Sequence, residues 1–187
     1  DSTLAMMLAA QKKGWTLYYL QQQDLSLQDQ QLRINAQAVN VFDDNQHWYD
    51  LGEQQSLKAS DLDVMLMRKD PPFDMEYIYT TYLLEMLEAQ GCLVVNRPAS
   101  LRDANEKLFT ARFPQCCTKM LVSRQACQLR GFIREHEDVI LKPLDGMGGQ
   151  SIFRVSPTDA NLSVILETML EGDSHTIMAQ KFIPEIK

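Results

Sequence analysis

The chain opens on Asp1 and Ser2, two good helix-capping residues, followed by Leu4, Met7 and Leu8 at helical spacing, with Gly14 as a stop. Residues 16–20 (TLYYL) predict a strand. Apolar and polar residues then alternate on either side of Gln28-Asp29-Gln30, the pattern of a hairpin. Residues 63–67 (DVMLM) read as a buried strand. The clearest helix follows: Met75, Ile78, Tyr79, Tyr82, Leu83, Met86 and Leu87 recur at steps of three and four between an Asp74 cap and a Gly91 stop. Tyr77, Tyr79 and Tyr82 read as its core and rim. Residues 92–96 (CLVVN) are the next strand. This alternation of strand and helix predicts an α/β fold, with a mainly parallel sheet flanked by helices.

The pattern changes after Asn96. Residues 97–113 are more polar and predict short helices across a domain junction. Ser123 is a candidate cap for a helix carrying Leu129, Phe132, Ile133 and His136. Residues 138–142 and 151–155 read as strands on either side of a glycine loop. Thr158 or Asp159 opens a helix with Leu162, Ile165, Leu166, Met169 and Leu170 on one face, ended by Gly172. Residues 176–183 form a last strand. The expected organisation is an α/β domain over residues 1–103, then a linker and a small α+β unit over residues 104–187. An α/β sheet usually opens on a strand, but here a helix comes first, and the chain stops at PEIK just after a strand. Both ends read as cut from something longer.

Composition narrows the function. No run of about 18 apolar residues is present, so no membrane-spanning helix is expected. The net charge of −7 argues against a general nucleic-acid binder, which needs a basic footprint. An anionic ligand would have to be held locally, by a few cations and backbone N–H groups. Cys92, Cys116, Cys117 and Cys127 have no C-x-x-C spacing, which points to reduced thiols in the cytosol and not to zinc or a redox pair. The histidines His47, His136 and His175 are isolated and suggest no catalytic constellation.

Two stretches carry candidate chemistry. In ILKPLDGMGGQSIFRV, Gly146, Gly148 and Gly149 permit positive φ and close approach to a ligand. Successive N–H groups there can form an anion nest, with Lys142 just before it. The same residues also suit a hairpin tip with a solvated lysine. The loop matches neither a P-loop nor a dinucleotide fingerprint. The second stretch, MRKDPPFD, starts at the carboxyl end of a strand, where open α/β sheets bind ligands. Arg68 and Lys69 could hold carboxylates there. The alternative is a rigid strand-to-helix connection. Asn96 occupies a similar strand end and suits a turn equally well.

Taken together and in order, DVMLMRKDPPFDMEYIYTTYLLE, NRPASLRDANEKLFT, ILKPLDGMGGQSIFRV and MAQKFIPEIK resemble the bacterial glutathione synthetases, of the ATP-grasp superfamily. The resemblance covers essentially the whole chain and is weakest over residues 21–60 and around FPQCCTKM. It implies ATP gripped between two α+β subdomains. It implies transfer of the γ-phosphate to the cysteinyl carboxylate of γ-glutamylcysteine, then attack by the amine of glycine on the acyl phosphate. By the same resemblance Lys107 and Lys142 contact ATP, while Gly146, Met147, Gly148, Gly149 and Ser151 form a flap over its phosphates. Gln180, Lys181, Phe182 and Ile183 form the hinge that reads the adenine edge. Arg68, Lys69, Asp70 and Asn96 become candidates for the dipeptide side. A cytoplasmic homo-oligomer is also implied.

The resemblance further implies a first strand before Asp1 and a second ATP-grasp subdomain after Lys187. The Mg²⁺ ligands belong to that later part, so no metal ligand and no certain catalytic residue is assigned here, and the chain alone is expected to be inactive. Two alternatives remain: another ATP-grasp carboxylate–amine ligase, and a non-catalytic nucleotide-binding fragment.

Overall fold

The structure, a computed structural model, describes residues 1–186; Lys187, the last residue of the MAQKFIPEIK motif, lies outside the described residues. The chain divides into two compact units, Asp1–Lys69 with Met75–Arg102, and Asp70–Asp74 with Asp103–Lys187.

The first unit begins with α1 (Ser2–Lys12), whose N-terminal amides Thr3 and Leu4 donate to the Asp1 carboxylate at 2.6 and 3.0 Å. Strand β1 (Tyr18–Tyr19) leads to β2 (Leu25–Gln28) and β3 (Gln31–Val41). The predicted hairpin is present. Gln28 pairs with Gln31, and Asp29 and Gln30 both adopt positive φ, as a two-residue turn between twisted strands requires. Strand β3 also pairs with β1 and with a long strand β4 (Tyr49–Leu57). The sequence pattern did not reveal β4, because its only buried residue is Leu57 and it carries no alternation. All these pairings are antiparallel.

Parallel pairing is confined, among the described residues, to β5 (Val64–Leu66) and β6 (Leu93–Val95). The mixed α/β class holds, but the parallel part of this unit is smaller than expected. The reason is the long β2–β3–β4 meander between β1 and β5, whose direct connections favour antiparallel ladders. The pair is covered on one face by α2 (Met75–Ala89), so Met65 and Val94 are buried with Leu84 and Leu87. Val64, Leu66, Leu93 and Val95 stay exposed on the other face, contrary to the expectation of a buried strand. The register of α2 also differs. Thr80, Thr81, Leu84 and Leu87 face the core, whereas Met75, Tyr79, Tyr82 and Met86 are exposed. Burial of the threonines is tolerated because their hydroxyls donate to the carbonyls of Glu76 and Ile78. A short helix α3 (Pro98–Asp103) follows β6.

The second unit is a four-stranded antiparallel sheet in the order β7 (Met120–Ser123), β10 (Ile177–Lys181), β8 (Val139–Pro143), β9 (Phe153–Val155). Helices α4 (Ala126–His136) and α5 (Leu162–Leu170) pack on it. Strand β7 was not anticipated. Ser123 lies at its end; its hydroxyl accepts from the Gln125 amide and donates to Gln128 instead of forming the helix cap itself. Leu129, Ile133, Val139, Leu141, Leu166 and Ile177 form the centre of the core. Each is worth roughly 1.5–3 kcal/mol relative to exposure. This rigid sheet holds β8 and β10 side by side, and both carry candidate site residues at their ends.

Candidate functional site

The glycine loop joins β8 to β9. Gly148 and Gly149 adopt φ of +68° and +79°, and Ser151 adopts +56°. Glycine reaches this region at no steric cost. At Gly146 the constraint is space, since a Cβ there would lie 3.3 Å from Pro143 Cγ. The loop lines a cavity of about 180 Å³ together with Lys107. Gly146, Met147, Gly148 and Gly149 all face this cavity; Glu106, Pro143, Gln150 and Ile152 complete the wall.

The root of the loop is tied down carbonyl by carbonyl. The side-chain amide of Asn105 donates to the Leu144 carbonyl at 3.0 Å. The Phe73 N–H donates to the Asp145 carbonyl at 3.3 Å. The Lys107 ammonium donates to the Gly146 carbonyl. Lys107 also lies 3.5 Å from the Glu106 carboxylate, and its own side chain is 13% exposed.

Lys142, on β8, does not line the cavity but lies within the field of Lys107. Burial first, and the Lys107 charge second, push its ammonium below the usual lysine value; Cys117 and Glu106 act weakly in the opposite direction. Two cations thus stand near one glycine loop, partly withdrawn from water. That arrangement is unfavourable by itself and is relieved by an anion.

The four residues of the expected hinge sit where β10 ends. The Lys181 N–H donates to the Lys119 carbonyl, and the Phe182 N–H donates to the Asp138 carbonyl, both at 2.9 Å. Among the described residues the Ile183 N–H and the Lys181 carbonyl take no backbone hydrogen bond. The Phe182 ring packs against the Arg154 guanidinium, 3.8 Å from the ring centre. Arg154 in turn grips both Asp138 oxygens at 2.9 and 2.6 Å, which holds that carboxyl below the ordinary range.

The dipeptide-side candidates divide between the units. Arg68, Lys69 and Asn96 belong to the first and Asp70 to the second. Arg68 and Asn96 are brought to the same end of the β5–β6 pair, whose register sets Leu66 beside Val95. Arg68 donates to the hydroxyls of Thr3 and Ser2 at 3.2 and 3.0 Å, so it is oriented by neutral partners. Among the described residues, no three His, Cys, Asp or Glu side chains gather to hold a metal ion. Asn105 escaped the sequence reading. An Asn three residues before the helical turn at Leu108–Arg112 is a capping signal, and it could have been noticed.

Comparison with known proteins agrees with this architecture. The family model of the prokaryotic glutathione synthetase N-terminal domain matches residues 1–102, and that of its ATP-grasp domain matches residues 106–187. Glutathione synthetases of Pseudomonas putida and Yersinia pestis are 57% and 54% identical to the chain over all 187 residues. The chain spans 59% of the length of each of these relatives. Among solved structures, D-alanyl-alanine synthetase A from Vibrio cholerae superposes with a TM-score of 0.52 at 11% identity, over 85% of this chain and 48% of that one. D-cycloserine synthetase DcsG gives 0.51 at 14% identity, over 68% and 46%. These two share the fold. The two family models together cover nearly every residue described above, and the chain belongs to the prokaryotic glutathione synthetase family.

Proposed function

We propose that the chain is the dipeptide-side and flap-bearing part of a glutathione synthetase, an ATP-dependent C–N ligase that joins glycine to γ-glutamylcysteine through an acyl phosphate. The supporting observation is the pairing of Lys107 and Lys142 beside the glycine loop, with the Lys142 ammonium depressed by burial and by the Lys107 charge. ATP is the anion that fits. Its phosphates would lie under Gly146, Met147, Gly148, Gly149 and Ser151, between the two lysines, and its adenine edge along Gln180, Lys181, Phe182 and Ile183. Fixed cations and backbone N–H groups then stabilise the charge that develops during phosphoryl transfer. Arg68, with Lys69, Asp70 and Asn96, would hold the dipeptide carboxylates. Mg²⁺, where the complete protein uses it, draws its ligands from outside the described residues.

A cytoplasmic setting is supported by four free cysteines, and a role without nucleic acid by the charge of −7. No helix among the described residues is long and apolar enough to cross a membrane. We infer also a homo-oligomer, as the family resemblance implies, and no turnover by these 187 residues alone.

Titration calorimetry with ATP tests the site. The chain is expected to bind ATP, and Lys142→Ala to weaken binding at least about tenfold, the loss of one charge-assisted contact. Equal affinity in the variant would remove Lys142 from the phosphate site. ADP release with γ-glutamylcysteine and glycine tests the reaction; turnover by this chain alone would refute the inference that it does not act by itself, and preference for another amine acceptor would refute the substrate assignment.

A further inference from the structure

We propose that Asn105 is a positioning residue of the nucleotide site: its amide clasps the Lys107 segment to the root of the glycine loop and so fixes the spacing of Lys107 and Lys142. The inference rests on the nucleotide reading above. Asn105 lies two residues before Lys107, and Leu144 two residues after Lys142. One side chain bridges both. Its Oδ1 accepts from the backbone N–H groups of Lys107 and Leu108 at 3.1 and 2.9 Å, and its Nδ2 donates to the Leu144 carbonyl at 3.0 Å. Every hydrogen-bonding face of the amide but one N–H is therefore used, and the two ends serve different segments.

A clasp is needed because the two ammoniums repel, and the Lys107 charge depresses Lys142. Left to themselves the segments would separate until water screened them. Only a side chain with an acceptor at one end and a donor at the other can cap the Lys107 turn and hold the Leu144 carbonyl. The adjoining ties, Phe73 N–H to the Asp145 carbonyl and Lys107 to the Gly146 carbonyl, extend the same seam by one residue each. The Lys107 tie is the one an incoming phosphate would compete for. The Asn105 tie is not, because Leu144 is not among the residues that line the cavity.

The decisive variant is Asn105→Ser. Its hydroxyl can still cap the Lys107 turn without adding charge, but it is too short to span to Leu144. A purely structural capping role predicts that MgATP affinity survives this change. A positioning role predicts a folded variant with MgATP affinity lowered about tenfold or more, the loss of one hydrogen bond at a charged site. Asn105→Asp, which keeps the cap and loses the donor but adds a charge that itself opposes ATP, serves as the second variant if Asn105→Ser does not fold. Wild-type affinity in either folded variant overturns the proposal. If the wild-type chain binds no MgATP, the nucleotide reading fails on its own. The clasp is then read from amide hydrogen exchange at Gly146, Met147, Gly148 and Gly149. Exchange about tenfold faster in the variant supports it, and unchanged exchange refutes it.

Discussion

The chemistry of the site is set by two ammonium groups and what surrounds them. Lys142 is charged against the cost of burial and against Lys107, so its folded-state value lies below that of the unfolded chain. Between those two values the folded chain binds fewer protons than the unfolded one, and stability rises with pH through that alkaline window. An anion reverses the shift. ATP binding in the window should therefore take up protons, and affinity should fall as pH rises through it. Calorimetry in buffers of different ionisation enthalpy measures the uptake, and Lys142→Ala should abolish it. The two lysines became candidates because each sits in a motif shared with the family, NEKLF and LKPLDGMGG. The field between them was not legible, since nothing local signals that residues 107 and 142 approach. The long-range half of the Asn105 contact was hidden in the same way: its donor reaches a carbonyl 39 positions away. A backbone acceptor of this kind accepts almost any residue type and leaves no mark in the sequence.

Among the elements, those with an amphipathic or alternating pattern were read well: α1, the β2–β3 hairpin, α5, and the strands flanking the glycine loop. Strands β4 and β7 were missed, because β4 lies almost wholly exposed and β7 is a short edge with residues half-buried. Helix α2 was found but turned about its axis. Tyrosine and methionine at periodic positions imitate a core stripe, while the core uses Thr80 and Thr81 with satisfied hydroxyls. Thr81 also accepts from Arg102 at 3.1 Å. Thr81→Val should therefore cost about 1–3 kcal/mol despite preserving shape, because it removes that acceptor. Denaturant unfolding reads it. The hairpin offers the opposite sign. Gln30 holds φ of +63° in a turn that favours glycine there, so Gln30→Gly should stabilise by about 1 kcal/mol, seen as a raised midpoint at unchanged slope.

For the molecule as a whole, the division into two units, each with its own core, carries both the stability and the layout of the candidate residues. Leu141→Ala, in a fully buried position beside Lys142, is expected to destabilise by about 2–5 kcal/mol, measured by thermal or denaturant unfolding. Leu93→Lys, on the uncovered face of the β5–β6 pair, should leave Tm nearly unchanged and reduce self-association in light scattering, since it breaks a contiguous apolar patch. The end of β10 carries a last consequence. There the Phe182 amide is spent on Asp138, while the Lys181 carbonyl and the Ile183 amide remain. On the proposed nucleotide reading, this acceptor and donor, two residues apart, would match the amino and ring-nitrogen edge of adenine; guanine presents those functions in the opposite order, donor to donor and acceptor to acceptor. The choice between the two purines would thus be a property of the main chain, indifferent to the side chains at 181 and 183 and erased only where proline deletes the amide itself.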